Sequence, residues 1–222
     1  MSSKTKLQSL ARPVVALALG ISLLSGLSGC AVLVVGAAAG GALSASDRRT
    51  FGSQTEDKTI EFKSNNRINY LFGDDVHIDV NSYNRKVLLT GEVKDEATKA
   101  KIESEVKAIE NVVSVVNEIQ ITLFLSGIKE RSNDAYLSTK VRGVLVGTAD
   151  IYSSSFKIVT ESGVVYLMGR VSQREGDTAT EQVRGIPGVK KVVKVFEYID
   201  ESEVKKYVAP PKPAEADPPA VN

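Results

Sequence analysis

The sequence predicts an α+β protein built from two tandem αββαβ domains, each a three-stranded mixed sheet with two helices on one face. Two observations predict it. The chain repeats itself at a constant offset, and within each repeat the apolar spacing switches between the helical and the strand period. Val87-Leu-Leu-Thr-Gly-Glu-Val93 aligns with Val165-Tyr-Leu-Met-Gly-Arg-Val171. Ile102, Val106 and Ile109 align with Ala179, Val183 and Ile186, and Val112, Val115 and Val116 with Val189, Val192 and Val193. Upstream, Ile60 and Ile68 align with Leu137 and Leu145. The offset stays at about 77 or 78 residues throughout, which chance similarity does not sustain. The domains fall at residues 55–123 (copy one) and 132–200 (copy two).

Each element follows from local chemistry, read most easily in copy two. Leu137, Val141, Val144 and Leu145 recur at helical spacing. Phe156 and Ile158 alternate as a strand, Glu161-Ser162-Gly163 makes a turn, and Val165, Leu167, Gly169 and Val171 share one face of the next strand. Ser172 and Glu175 have capping-box spacing and start a helix whose apolar face is Ala179, Val183 and Ile186. Pro187-Gly188 ends it, and Val189 to Ile199 is the last strand. Strands joined through a helix are parallel, with a right-handed crossover. Two helices cover one sheet face only. The other face carries Leu88 and Thr90 in copy one, Tyr166 and Met168 in copy two. Such half-apolar faces predict that the copies contact each other and form one rigid body, with Leu88 and Met168 as buried contacts. The connection from Thr122 to Ser132 is short enough to hold them together.

The ends are simpler. Lys4, Lys6 and Arg12 precede an apolar run from Val14 to Leu24, the length of a signal-peptide core rather than of a membrane span. Leu27-Ser28-Gly29-Cys30 then resembles the lipobox of bacterial lipoproteins. The resemblance implies a signal peptide over residues 1–29 and a lipidated Cys30. Cys30 is the only cysteine, so an intramolecular disulfide is impossible. Residues 30–54 read as the lipidated Cys and a Gly/Ala-rich tether, too short in its apolar part (31–43) to span a bilayer. Residues 201–222 read as a Pro-rich disordered tail.

Composition narrows the function. The chain has 222 residues, 28 of them basic and 27 acidic. Losing Lys4, Lys6 and Arg12 with the leader brings the formal charge from +1 to −2. That balance gives no case for nucleic acid. No P-loop or dinucleotide glycine pattern occurs. His77 and Asp79 lie two apart on the outward face of a strand, which is too few ligands for a metal site. Glu103 and Glu105 sit among lysines as a solvated helix face. The expectation is no catalysis, no cofactor, no metal and no small-molecule substrate.

The αββαβ order, the apolar-x-Gly-x-Val strand and the Ile-x-x-Val turn before the last strand resemble the BON domain of bacterial envelope proteins. Two copies behind a lipobox resemble the dual-BON-domain outer-membrane lipoproteins. The likeness extends to Asp47-Arg48-Arg49-Thr50-Phe51-Gly52-Ser53-Gln54 and Thr59-Ile60-Glu61. Arg85 stands at a hairpin turn where the family has Gly, and Ser64 at an apolar helix position. The resemblance implies an outer-membrane protein, lipid-anchored on the periplasmic face, that contacts phospholipid and serves membrane integrity. On the first helix of copy two, about Asp134 to Val146, Tyr136, Lys140 and Gly143 lie along one flank, with Arg142 and Val146 further round. An interfacial Tyr beside cations suits an anionic headgroup layer. Tyr136, Lys140, Arg142, Gly143 and Val146 are therefore the expected phospholipid-binding residues. The matching face of copy one has Asn65, Asn66 and Arg67 without an aromatic at the equivalent place, so the copies should differ. The alternative is a protein-interaction adaptor for outer-membrane assembly or other envelope machinery, with lipid serving only as the anchor.

Overall fold

A computed structural model describes residues 47–122 and 128–207, the side chains of 128–131 excepted. Copy one opens with α1, Phe51–Phe72, capped by the Thr50 hydroxyl accepting from Ser53 N. Asp57, Ile60, Ser64 and Ile68 are its buried face, and Gly73, at φ 54, ends it. Strands β1 (His77–Tyr83) and β2 (Lys86–Val93) pair antiparallel. Asn84 and Arg85 form the two-residue turn between them at φ 50 and 66, the left-handed pair that a tight hairpin requires. Helix α2, Glu96–Lys107, begins at the Asp95 carboxylate, which accepts from Thr98 N, and leads to β3, Ser114–Asn117, parallel to β2.

Where the repeat predicts one continuous last strand, copy one breaks it. The Asn117 side chain accepts from Ile119 N at 3.2 Å, and β4, Gln120–Ile121, resumes pairing with β2. The kink buries Ile119.

Copy two follows the predicted order. Helix α3 spans Ile128–Gly147 and so begins before the expected Asp134. Strands β5 (Phe156–Glu161) and β6 (Val164–Val171) form a hairpin, and β7 (Lys191–Tyr198) lies parallel to β6. Helix α4, Gln173–Arg184, has both halves of the capping box: Ser172 accepts from Glu175 N, and Glu175 accepts from Ser172 N. The first part of the expected Pro-rich disordered tail is ordered: residues 201–207 form a helix, α5 (Glu201–Tyr207), which buries Val204 and ties Glu201 to Ser172 and Glu203 to Arg170, while 208–222 lie outside the described residues.

Three apolar clusters hold these elements. Ile60, Val80, Leu89, Ile102 and Val106 belong to the core of copy one, and Val141, Leu145, Leu167, Ala179 and Val183 to that of copy two. The third joins the copies: Tyr83 and Leu88 pack with Val159, Tyr166, Met168 and Val195. Leu88 and Met168, read from the sequence as contacts between copies, are both fully buried in it. Complete burial of such side chains is worth roughly 1.5–3 kcal/mol each. Polar contacts rim the seam. Lys157 pairs with Glu61 and donates to Ser82 O at 3.3 Å. Asn84 Nδ2 donates to Glu197 at 2.6 Å, and Lys86 Nζ to Phe196 O at 3.0 Å.

Candidate membrane contact site

The outward face of α3 is set by what holds its inward face. Near the start of the helix, Asp134 accepts hydrogen bonds from Ser162 N and Gly163 N, each at 2.8 Å, which fastens α3 to the β5–β6 turn. Ser138 Oγ donates to Thr160 Oγ1 at 2.8 Å. Leu137, Val141 and Leu145 are buried. Helical geometry then sends the opposite side chains to the surface.

Each expected residue lies on that surface. Tyr136 is 69% and Val146 67% exposed, a high value for large apolar groups. Arg142 and Gly143 are exposed, and Lys140 is half-buried. Lys140 Nζ stands 5.6 Å from the centre of the Tyr136 ring, within cation–π range, and donates to Pro187 O at 2.7 Å. A side chain at Gly143 or Gly147 would meet nothing within 4 Å, so the backbone there is bare to whatever approaches.

A groove of about 430 Å³ runs beside this face, lined in part by Tyr136, Lys140, Pro187, Gly188 and Lys190. Lys190 escaped the sequence reading. Its Nζ donates to Ser162 O at 2.9 Å and its stem crosses Gly163, whose φ of +79 and lack of a side chain permit that approach. Two lysines, Lys140 and Lys190, thus line the groove. The acidic side chain in its wall, Asp134, is engaged by two backbone N–H groups. The visible signal was the Lys190-Lys191 pair just beyond Pro187-Gly188.

Copy one presents a different face. Phe51, Phe62 and Tyr70 on α1 are 79%, 67% and 82% exposed. None of them takes the place of Tyr136, which Thr59 occupies at the repeat offset. Elsewhere, Asp79 accepts from Asn81 Nδ2 at 2.8 Å. Among the described residues no group of three or more His, Cys, Asp or Glu is arranged to hold a metal, and no helix is long and apolar enough to cross a membrane. Cys30 lies outside the described residues.

Two αββαβ units joined through the helix-free faces of their sheets define a tandem BON-domain protein. The BON domain family matches residues 56–122 and again 133–200, and the chain belongs to the dual-BON-domain outer-membrane lipoprotein family. It is 34% identical over 176 residues to the outer membrane lipoprotein DolP of Haemophilus influenzae, a match that spans 78% of this chain and 91% of that one. To the 21 kDa hemolysin of Actinobacillus pleuropneumoniae it is 30% identical over 159 residues, covering 69% and 79% of the two chains. To the osmotically-inducible protein Y of Escherichia coli it is 28% identical over 117 residues, covering 52% and 58%.

Proposed function

We propose that the protein is anchored through Cys30 at the periplasmic face of the outer membrane, contacts anionic phospholipid through the outward face of α3, and helps maintain outer-membrane integrity without catalysis. The observation that carries this reading is the cluster of exposed Tyr136 and Val146 beside Lys140 and Arg142, on a helix whose other side is locked into the core. An aromatic ring with a polar tip suits the headgroup layer, and each cation near an anionic surface adds about 1 kcal/mol. Lys140 and Lys190 both line the groove beside this face. Acyl chains on Cys30 would already hold the protein on the membrane, so the helix sets orientation and lipid preference rather than attachment.

The adaptor reading has its own support in the bare Phe51, Phe62 and Tyr70 of α1. Vesicle binding separates the two. The unlipidated body, residues 47–207, is mixed with phosphatidylglycerol or phosphatidylcholine vesicles. The lipid reading expects salt-sensitive binding to the anionic vesicles, lost with Tyr136→Ala and Lys140→Glu together and little changed by Arg67→Glu in copy one. If wild type binds neither vesicle, or the paired change leaves binding intact, α3 is not the lipid site and the adaptor reading stands.

A further inference from the structure

Residues 47–50 precede both domains, yet they are built into both. Arg48 lies upstream of copy one but is only 2% exposed. Its two terminal nitrogens each meet a Glu175 oxygen at 2.7 Å, and one of them also donates to Arg170 O at 2.9 Å. Both partners belong to copy two, more than a hundred residues downstream. Glu175 is equally buried, and its carboxylate is also the capping-box acceptor for Ser172 N at 3.0 Å. A buried carboxylate shared between a cap and a guanidinium is satisfied only with both in place.

The next residue turns the other way. Arg49 donates to Asp57 of α1 at 2.8 Å and lies 4.1 Å from the ring centre of Tyr83, which belongs to the apolar cluster between the copies. Asp57 in turn accepts from Asn84 N at 2.8 Å and Arg85 N at 2.7 Å, holding the β1–β2 turn. Copy two repeats this device with Asp134 and its own turn, at the same offset. The offset places Ser126 against Arg49, so only copy one is given an arginine at this position.

We propose that Arg48 and Arg49 form a clamp, in which the end of the tether fastens copy two to copy one and fixes the point where the chain leaves the body at the seam. Arg48 and Arg49 are positioning residues: they bear on the relation between the copies, not on the membrane-contact face. The clamp stands independently of lipid binding.

The test is differential scanning calorimetry of the full-length protein in detergent, with far-UV circular dichroism as the check on folding. Wild type should unfold in one cooperative transition, because the copies are coupled. Arg48→Ala and Glu175→Gln should each split that transition into two, with the circular dichroism unchanged below the first. Gln at position 175 can still fill the capping box, so Glu175→Gln removes the clamp charge while keeping the helix start. It therefore serves even if Arg48→Ala fails to fold. A purely local role would lower the single transition without dividing it. One transition in Glu175→Gln, shifted or not, overturns the clamp.

Discussion

At position 64 copy one carries a hydroxyl where copy two, at Val141, carries an isopropyl group, and both sites are fully buried. The Ser64 hydroxyl has no hydrogen-bond partner among the described residues. A buried, unsatisfied polar group is destabilising, whereas an apolar replacement of similar shape is not. Ser64→Ala should therefore stabilise the protein by about 1 kcal/mol, read as a higher urea midpoint at unchanged slope. A loss of stability would mean that the hydroxyl is bonded after all. The sequence marked Ser64 as out of place because an apolar period makes its exceptions visible. It did not mark Asp57 and Asp134. Their work is to accept the backbone N–H groups of a turn 28 or so residues away, and such contacts leave no period to read. Arg85 is tolerated where Gly is usual because Asp57 fixes its N–H while its Nε donates to Asn111 O at 3.0 Å.

At the scale of elements, the αββαβ order was legible because each strand and helix of the repeat buries one face, and burial on one face writes a period into the sequence. The same logic exposed the seam: Leu88 and Met168 are apolar on a face that no helix of their own domain covers. Introducing a charge there is a direct check. Met168→Asp places an unpaired carboxylate in a fully buried site and should cost at least about 3 kcal/mol, seen as a drop in unfolding temperature of several degrees. Unchanged unfolding would mean that the two sheet faces separate freely in solution. Two features stayed hidden. The break between β3 and β4 depends on one side chain, Asn117, competing with the ladder. Helix α5 is only seven residues long, too short to show a period, although Glu201 and Glu203 at its start and Lys205 and Lys206 at its end match the helix dipole. The face of α3 was legible as a surface, but its partner Lys190 was not, because only the folded chain brings the turn after α4 beside Tyr136.

The whole molecule is tied together by charge as well as by apolar contact, and this makes its cohesion sensitive to acid. Sixteen residues lie between Cys30 and Asp47, a stretch that spans at most about 60 Å. The proposed clamp at Arg48 fastens the end of that stretch to the body. Burial pushes the Glu175 carboxyl up. The hydrogen bonds from Arg48 and Ser172 N, with the charges of Arg48 and Arg174, outweigh that push and hold its pKa below the usual value. Glu61, across the seam from Lys157, behaves alike: burial raises it, and the bonds from Lys157, Lys58 and Ser82 N bring it lower still. Burial depresses Lys157 in spite of the pairing with Glu61. A carboxylate with a depressed folded pKa contributes stability that is present above its unfolded pKa, about 4.3 for Glu, and is lost as pH falls through the folded value. Urea unfolding followed from pH 7 downwards should hold steady until about pH 4.5 and then weaken as Glu175 and Glu61 bind protons. Glu175→Gln should begin to unfold at lower urea at pH 7, its first transition weakened by about 3–5 kcal/mol, since it leaves Arg48 buried without its counter-ion. It should also lose less on acidification, because one of the carboxylates whose protonation weakens the fold is gone. If wild type and variant weaken in parallel below pH 4.5, Glu175 is not a group that acid uses to loosen the molecule, and Glu61 and the remaining carboxylates carry the whole effect.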